Sequence, residues 1–150
     1  FGTITSKKIC ILGFAFKANT NDTRESAAIQ ICKDLLEEGA TLFIHDPKVD
    51  PKQIAIDLGI QPQKINNIKD YSKNYSEENG WISSDLDNLF IGADAVVIMT
   101  EWDEYSKIDW ENISKSMRSP AWVFDSRSVT NPSKVSRAGL NLWRIGDGTL

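Results

Sequence analysis

The fold is decided by residues 8–36, which read KICILGFAFKANTNDTRESAAIQICKDLL. Residues 8–12 form a short apolar run, which is typical of a buried strand. In residues 27–36 the apolar side chains recur at the spacing of one helical face. Together these patterns predict a strand, a crossover loop and a helix that begins at about Thr23, with Asp22 or Thr23 as its cap.

The predicted crossover loop is unusually long and carries two cations, Lys17 and Arg24. Connections of this type ordinarily take about 2 to 6 residues, whereas this one takes about ten. A helix N-terminus offers unpaired N–H groups and the positive end of a dipole, and Arg and Lys side chains suit phosphate groups. The loop is therefore either an anion-binding site or a surface loop with solvated charges. Spacing alone does not choose between them, because the loop lacks the GxGxxG pattern.

Strand and helix patterns alternate along the rest of the chain. This alternation predicts a single domain with a three-layer α/β architecture: a Rossmann-like, doubly wound sheet of about five or six mostly parallel strands. The last strand is expected at an edge of the sheet, and the polar residues 59–80 are expected to form an exposed excursion. Further strands are predicted near 41–44, 81–83, 95–99, 121–124 and 140–145, and further helices near 51–58, 85–91, 109–118 and 132–138.

The charge and composition of the chain limit the kinds of partner that it is expected to bind. The chain has 17 basic and 21 acidic side chains, a net charge of −4 and a pI of about 5.0. This balance disfavours binding to nucleic acid or to an anionic membrane surface. No apolar run is long enough to span a bilayer and no signal-peptide pattern is present, so the sequence predicts a cytoplasmic location.

Three charged side chains follow predicted strands, at the sheet edge where such folds build their sites. Asp46 is expected to act in a turn or as a cap, rather than to bind a ribose as an acid does at this place in dinucleotide-binding folds. Glu101 is expected to cap the segment that follows it, and a role in a site is the alternative. Arg127 is either a solvated surface arginine or a phosphate ligand.

Four other reactive or aromatic side chains are expected to be structural. Cys10 and Cys32 fall in the first strand and on the apolar face of the first helix, which predicts core packing rather than a disulfide or a nucleophile. His45, the one histidine, is expected to have a structural role. Trp102 is expected to pack in the core rather than to stack on a base.

Five motifs, in the same order and at similar spacing, resemble the C-terminal domain of the UDP-glucose/GDP-mannose dehydrogenase family, and most closely its UDP-glucose 6-dehydrogenases. The resemblance covers nearly the whole chain and rests on the set of motifs together. They are GFAFK at 13–17, NDTRES at 21–26, IHDP at 44–47, VVIMTEW at 96–102 and FDSR at 124–127.

The resemblance implies roles for four residues. It places Phe16, Lys17 and Arg127 at the nucleotide sugar, and it assigns Arg24 to contact with the bound NAD. It implies no catalytic residue and no metal site in residues 1–150. The enzymes of this family oxidise UDP-glucose to UDP-glucuronate in two NAD-dependent steps.

The resemblance also implies that residues 1–150 are a single C-terminal UDP-binding domain. The N-terminal NAD-binding domain and the central helix are then absent from this chain. The partners implied are UDP-glucose or UDP and the remainder of the same polypeptide, in a homo-oligomer of the full-length enzyme. The chain alone is expected to bind but not to catalyse.

The sequence departs from the family motif at one position, and it leaves several other functions open. Ser126 stands where the family's aspartate-glycine-arginine turn has glycine, which reduces the freedom of the backbone there. The alternatives are the C-terminal domain of a GDP-mannose or UDP-N-acetylmannosamine dehydrogenase, a stand-alone nucleotide-binding regulatory module, and a scaffold domain. Fold alone does not separate these possibilities, because doubly wound sheets serve many functions.

Overall fold

A single sheet of six strands forms the middle layer of the protein, in a computed structural model that describes residues 3–64 and 80–145. The strands are β1 (Lys8–Leu12), β2 (Thr41–His45), β3 (Trp81–Ser83), β4 (Ala95–Ile98), β5 (Trp122–Asp125) and β6 (Asn141–Arg144). All neighbouring strands are parallel, and the order across the sheet is β3-β2-β1-β4-β5-β6. This is the order of a doubly wound sheet, in which the chain starts in the middle and winds outward both ways. The predicted fold is confirmed, and β6 lies at an edge as expected.

Helices connect the strands and cover the sheet. Within the described residues they are α1 (Ala27–Glu37), α2 (Pro51–Leu58), α3 (Asp103–Ser106), α4 (Trp110–Ser114) and α5 (Pro132–Arg137). A helix that follows one parallel strand and precedes the next forms a right-handed crossover. The two directions of winding therefore place their helices on opposite faces of the sheet.

The middle strand β1 is buried along its whole length, as its apolar sequence predicts. Cys10 and Cys32 are fully buried, which confirms their place in the core. Lys8 is also buried: its Nζ donates a 2.6 Å hydrogen bond to the carbonyl of Ile91 and lies 3.7 Å from the centre of the Phe43 ring. Burial lowers the pKa of Lys8 to about 8.

Helix α1 begins later than predicted, and its cap is Ser26 rather than Asp22 or Thr23. The Ser26 hydroxyl accepts a 3.2 Å hydrogen bond from the amide of Ala28. Glu25 has a φ of 61°, which lies outside the helical region, so the helix cannot extend back through it. The crossover loop is correspondingly longer than the sequence suggests.

The helix predicted over 85–91 is wrong, because this segment forms consecutive turns. The amide of Ile91 donates to the carbonyl of Asn88, three residues back, rather than to the fourth as in an α-helix. A stretch this short before a glycine gains too few helical hydrogen bonds to offset the cost of starting a helix. Leu89 and Phe90 are nevertheless buried, as their apolar character predicts.

A further difference lies after β4. The predicted helix over 109–118 is limited to α4, whose cap Asp109 accepts a 3.2 Å hydrogen bond from the amide of Asn112. The short helix α3 was not expected from the sequence. The excursion predicted over 59–80 falls mainly on residues 65–79, which lie outside the described residues.

Candidate functional site

The candidate site lies where β1 and β4 are neighbours, at their carboxyl ends. The chain winds away from β1 in one direction and from β4 in the other, so the connections after these strands part at the edge where doubly wound sheets bind their ligands. The motifs predicted at strand ends all reach this edge. They surround the crossover loop, residues 13–26, which runs from the end of β1 to α1.

Asp46 fixes the first part of the loop. Its Oδ2 accepts hydrogen bonds of 2.7 and 3.0 Å from the amides of Phe14 and Ala15, and its Oδ1 accepts from Lys48 and Val49 at 2.9 and 3.0 Å. Four backbone donors thus surround one carboxylate. The prediction that Asp46 acts in a turn or as a cap is confirmed for the turn, because its Oδ1 accepts from amides two and three residues later, whereas the cap of α2 is Asp50.

Close packing against β4 fixes the same stretch from the other side. Gly13 has a φ of 96°, and a Cβ built on it would lie 2.4 Å from the Cβ of Thr100. The Thr100 hydroxyl donates a 2.9 Å hydrogen bond to the carbonyl of Ala15. The Ser26 hydroxyl donates a 2.8 Å bond to the carbonyl of Phe14, which joins the start of the loop to the cap of α1.

The middle of the loop projects into solvent. Phe16 is 42% exposed, and Lys17 is exposed beside it. Two loop residues that are not glycine, Asn19 and Glu25, adopt positive φ angles of 66° and 61°. Such strained conformations persist where surrounding contacts hold them, and they are frequent at binding sites.

Arg24 lies on the outer side of the loop and makes a bidentate ion pair with Asp22. Its Nε is 3.0 Å from Oδ1 and its Nη2 is 2.9 Å from Oδ2 of that residue. The hydrogen bonds from Arg24 lower the pKa of Asp22 to about 2. The side chain of Arg24 is 88% exposed, so the pair holds the guanidinium in place without covering it.

Arg127 follows β5 and turns back toward the loop. Its Nε donates a 2.9 Å hydrogen bond to the carbonyl of Met99 and lies 3.6 Å from Oε2 of Glu101. The other carboxylate oxygen of Glu101, Oε1, accepts a 3.4 Å hydrogen bond from the amide of Ala18. Glu101 therefore connects Arg127 to the loop residue that follows Lys17.

The prediction that Glu101 caps the following segment is wrong. Helix α3 begins after Trp102, and no side chain caps it. Glu101 instead spans two elements, the crossover loop and the end of β5, that are far apart in sequence. Sequence reasoning missed this role, because only the register of parallel strands brings the ends of β4 and β5 together.

The structure thus brings two predicted site elements together and leaves the third apart. Arg127 and the segment that holds Phe16 and Lys17 meet through Glu101. Arg24 instead contacts Asp22, within its own loop. The side chains of Lys17 and Arg24 are exposed, and that of Arg127 is 40% exposed.

A family model described as "UDP-glucose/GDP-mannose dehydrogenase family, UDP binding domain" matches residues 10–132. The chain belongs to this family. Its UDP binding domain is 43% identical over 146 residues to the UDP-glucose 6-dehydrogenase of Drosophila melanogaster, and 47% identical over 152 residues to that of Pongo abelii. Each match covers 97% of this chain but only 29% and 28% of the relative, so the chain spans less than a third of the length of these relatives.

A solved structure shows the same fold. The NDP-N-acetyl-D-galactosaminuronic acid dehydrogenase of Methanosarcina mazei Go1 superposes with a TM-score of 0.70, over 96% of this chain and 25% of that chain, at 22% identity. The family resemblance expected from the five motifs is therefore confirmed by the family model and the relatives, and the solved structure shares the fold.

The turn after β5 of this UDP binding domain accommodates the departure at Ser126 without strain. Ser126 is not among the residues with positive φ, and its hydroxyl donates a 2.6 Å hydrogen bond to the carbonyl of Ile98. The buried carboxylate of Asp125 accepts hydrogen bonds from the amides of Arg127 and Thr130, at 3.0 and 2.8 Å. The position of Arg127 is thus set by backbone contacts that do not require glycine.

His45 and Trp102, which lie near the site, have structural roles, as expected. The Nδ1 atom of His45 lies 2.9 Å from the hydroxyl of Tyr105, and that hydroxyl donates to the His45 carbonyl at 3.1 Å. Burial lowers the pKa of His45, so the ring is neutral near pH 7. Trp102 is 7% exposed, and its indole N–H points at Asp46 at 3.3 Å, which fits packing rather than base stacking.

Across residues 3–64 and 80–145, no cluster of three or more histidine, cysteine, aspartate or glutamate side chains could hold a metal ion. In the part of the chain that the structure describes, no helix is both long and apolar enough to cross a membrane.

Proposed function

We propose that this UDP binding domain holds the nucleotide sugar in a longer, NAD-dependent UDP-glucose 6-dehydrogenase. In this proposal Phe16, Lys17 and Arg127 contact UDP-glucose, and Arg24 contacts NAD. The observation that supports the proposal is the meeting of Arg127 with the crossover loop at Glu101, because this carboxylate contacts both the Arg127 guanidinium and the amide of Ala18, the residue after Lys17. Two cations with an exposed aromatic ring suit a uridine diphosphate.

The exposed position of Arg24 supports the proposal that it binds a second anionic ligand besides UDP-glucose. Its guanidinium is exposed and oriented by Asp22, outside the cluster around Arg127. The pyrophosphate of NAD is an anion of the size that an arginine fork binds. In the proposed enzyme NAD accepts hydride from the sugar alcohol, and the remainder of the polypeptide binds most of the cofactor.

The chain by itself is proposed to bind without catalysing. Oxidation to a carboxylate through a thioester needs a reactive thiolate. Both Cys10 and Cys32 are fully buried, and burial raises the pKa of each thiol to about 12. Neither can serve as a nucleophile near pH 7, so the catalytic group belongs to the remainder of the polypeptide.

We also propose which sugar the full-length enzyme oxidises, where the enzyme is located and how it assembles. Relatives that are named UDP-glucose 6-dehydrogenase, at 43% and 47% identity, support glucose over mannose and N-acetylmannosamine. A cytoplasmic homo-oligomer is proposed for the full-length enzyme.

Calorimetric titration of residues 1–150 with UDP, UDP-glucose, GDP and NAD tests the proposal. UDP is expected to bind, and Arg127→Ala is expected to weaken binding at least about tenfold, since a charge-assisted hydrogen bond contributes about 1.5–3 kcal/mol. Arg137→Ala is the matched control, because Arg137 is an exposed arginine on α5, away from the crossover loop.

Three results would contradict the proposal. Equal UDP affinity in Arg127→Ala and Arg137→Ala would remove Arg127 from the site. Binding of GDP as tight as that of UDP would favour a GDP-sugar dehydrogenase instead. Formation of NADH from UDP-glucose by residues 1–150 alone would contradict the proposed division of labour.

A further inference from the structure

Two consecutive side chains after β4 hold the two ends of the exposed part of the crossover loop. The Thr100 hydroxyl donates a 2.9 Å hydrogen bond to the carbonyl of Ala15. The next side chain, Glu101, accepts a 3.4 Å hydrogen bond at Oε1 from the amide of Ala18. Residues 16–17 lie between these two contacts, so their place is set from the end of β4, 83 residues beyond Ala18.

The second carboxylate oxygen of Glu101 faces Arg127. Its Oε2 lies 3.6 Å from the Arg127 Nε, which also donates a 2.9 Å hydrogen bond to the carbonyl of Met99. Both contacts use Nε, and within residues 3–64 and 80–145 the terminal nitrogens Nη1 and Nη2 of Arg127 make no hydrogen bond. The Nη1–Nη2 edge, which suits a phosphate group, is thus left for a ligand.

Only a carboxylate makes both contacts of Glu101 at once. The amide of Ala18 and the Nε–H of Arg127 are both donors, so each contact needs an acceptor oxygen. Glutamine has the same length but offers one acceptor oxygen and one NH₂ donor. A glutamine at position 101 would therefore keep one contact and lose the other.

The charge of Glu101, taken alone, opposes the binding of an anion. A carboxylate repels a nearby diphosphate, and solvent weakens this repulsion at a side chain that is 41% exposed without removing it. Repulsion alone predicts that removal of the charge tightens binding. A role in holding the site together predicts the opposite, so the direction of the effect distinguishes the two.

We propose that Glu101 is a positioning residue for the nucleotide sugar, which holds residues 16–17 and Arg127 at a fixed spacing so that both meet the same ligand. The inference rests on the proposed function, because it takes Lys17 and Arg127 as contacts of UDP-glucose. Glu101 acts through these groups and does not itself touch the ligand. Groups that are held in place before binding lose less freedom when the ligand arrives, and this gain outweighs the repulsion from the carboxylate.

Calorimetric titration of residues 1–150 with UDP tests the direction of the effect. Glu101→Gln is expected to weaken UDP binding at least about threefold, because it breaks one of the two contacts. Glu104→Gln is the matched control, since Glu104 is an exposed glutamate on α3 and loses the same charge nearby in the chain. The control is expected to bind UDP at least as tightly as the parent. Unchanged or tighter binding by Glu101→Gln would overturn the proposal.

A double-mutant cycle separates positioning from a general loss of structure. Glu101→Gln is expected to weaken UDP binding less in an Arg127→Ala background than in the parent, because the group that it positions is then missing. The midpoint of urea unfolding is expected to be the same for Glu101→Gln and the parent, since the side chain is 41% exposed. An equal effect of Glu101→Gln on UDP binding in both backgrounds would overturn the proposal.

NMR of the ligand-free protein measures the two contacts directly. In Glu101→Ala the amide of Ala18 and the Nε–H of Arg127 are both expected to exchange with water at least about threefold faster than in the parent. The amide of Phe14 is the internal control, because it donates to Asp46 and not to Glu101. Unchanged exchange at both Ala18 and Arg127 would show that Glu101 holds neither and would overturn the proposal.

The parent protein and Arg127→Ala distinguish a failure of this inference from a failure of the proposed function. Absence of UDP binding by the parent would reject the proposed function, and the role of Glu101 would fall with it. UDP binding that is weakened by Arg127→Ala but not by Glu101→Gln would overturn only the role of Glu101. Weakening by both, with Glu104→Gln unaffected, would support both.

Discussion

Gly13 and Thr100 touch at the point where the carboxyl ends of β1 and β4 meet. A Cβ at position 13 would lie 2.4 Å from both the Cβ and the Oγ1 of Thr100, and 2.8 Å from its backbone nitrogen. The φ of 96° at Gly13 is also one that L-residues rarely adopt. Only glycine allows the crossover loop to leave β1 in contact with β4.

Gly13→Ala is therefore expected to lower the free energy of unfolding by about 2–4 kcal/mol, from backbone strain and the displacement of β4. Urea unfolding followed by tryptophan fluorescence measures the change. Gly59→Ala is the matched control: Gly59 has a φ of 73°, but a Cβ there would meet nothing within 4 Å. Equal losses in both variants would show that strain alone acts and that the contact with Thr100 contributes nothing.

Asp46→Asn is expected to lower the free energy of unfolding by about 2 kcal/mol, because an amide replaces one acceptor oxygen with a donor and leaves backbone N–H groups unpaired. UDP affinity is expected to fall as well, since Asp46 holds Phe14 and Ala15 at the start of the loop. Calorimetry and urea unfolding measure the two effects.

Asp50→Asn is the control for Asp46→Asn. Asp50 caps α2 by accepting a 2.8 Å hydrogen bond from the amide of Lys52, and asparagine caps a helix as well as aspartate does. The stability of this variant is expected to stay within about 0.5 kcal/mol of the parent. A loss in Asp46→Asn as small as that in Asp50→Asn would mean that the four backbone contacts of Asp46 contribute little.

The fold could be predicted from the sequence because the strongest patterns, the spacing of apolar residues in strands and helices, are local. The buried strand at residues 8–12 and the helix face at 27–36 were readable from apolar spacing, and alternation along the chain predicted the doubly wound sheet. Helix ends were less readable. The sequence predicts Asp22 as one of two candidate caps of α1. In the structure its carboxylate accepts a hydrogen bond from the Arg24 side chain, and Ser26 caps the helix instead.

Only part of the candidate site could be predicted from the sequence, because its contacts join the ends of strands that are far apart in the sequence. Arg127 and Lys17 could be chosen as anion ligands from residue type and position. The bridge made by Glu101 between Arg127 and Ala18 depends on the order and register of β4 and β5, which one sequence does not encode as a local pattern. The sequence therefore predicts a cap at Glu101 that the structure does not contain.

The two cysteines are expected to be unreactive while the protein is folded. Both are fully buried, and burial raises the pKa of each thiol to about 12, so almost no thiolate exists near pH 8. A chromogenic thiol reagent is expected to detect both cysteines only after urea is added. Rapid reaction of either one in native buffer would show that the core around α1 and β1 opens readily.

Lys8 is expected to make stability depend on pH in the alkaline range. The pKa of Lys8 is about 8 in the folded protein, whereas that of an unfolded lysine is about 10.4. Between these values the unfolded chain binds more protons, so the free energy of unfolding rises with pH, by up to about 3 kcal/mol for a shift of this size.

Comparison with Lys8→Met isolates this effect. Groups such as Cys10 and Tyr105, whose pKa values are raised by burial, oppose it at higher pH but are present in both proteins. The stability of the parent minus that of the variant is expected to increase from pH 7.5 to 9.5, a range that brackets the shifted pKa. A difference that stays constant over this range would place the Lys8 amine in contact with water.

The pairing of β1 with β4 also constrains how the protein is made. Ile9 pairs with Ala95, 86 residues further along the chain. A ribosome that adds about 5–20 residues per second needs roughly 4–17 seconds to synthesise that interval. During this time the strand at the centre of the fold has an unpaired apolar edge, open to other nascent chains or to chaperones. A product that ends before residue 95 keeps that edge permanently, so premature termination in the middle of this domain yields an aggregation-prone polypeptide rather than a smaller stable one.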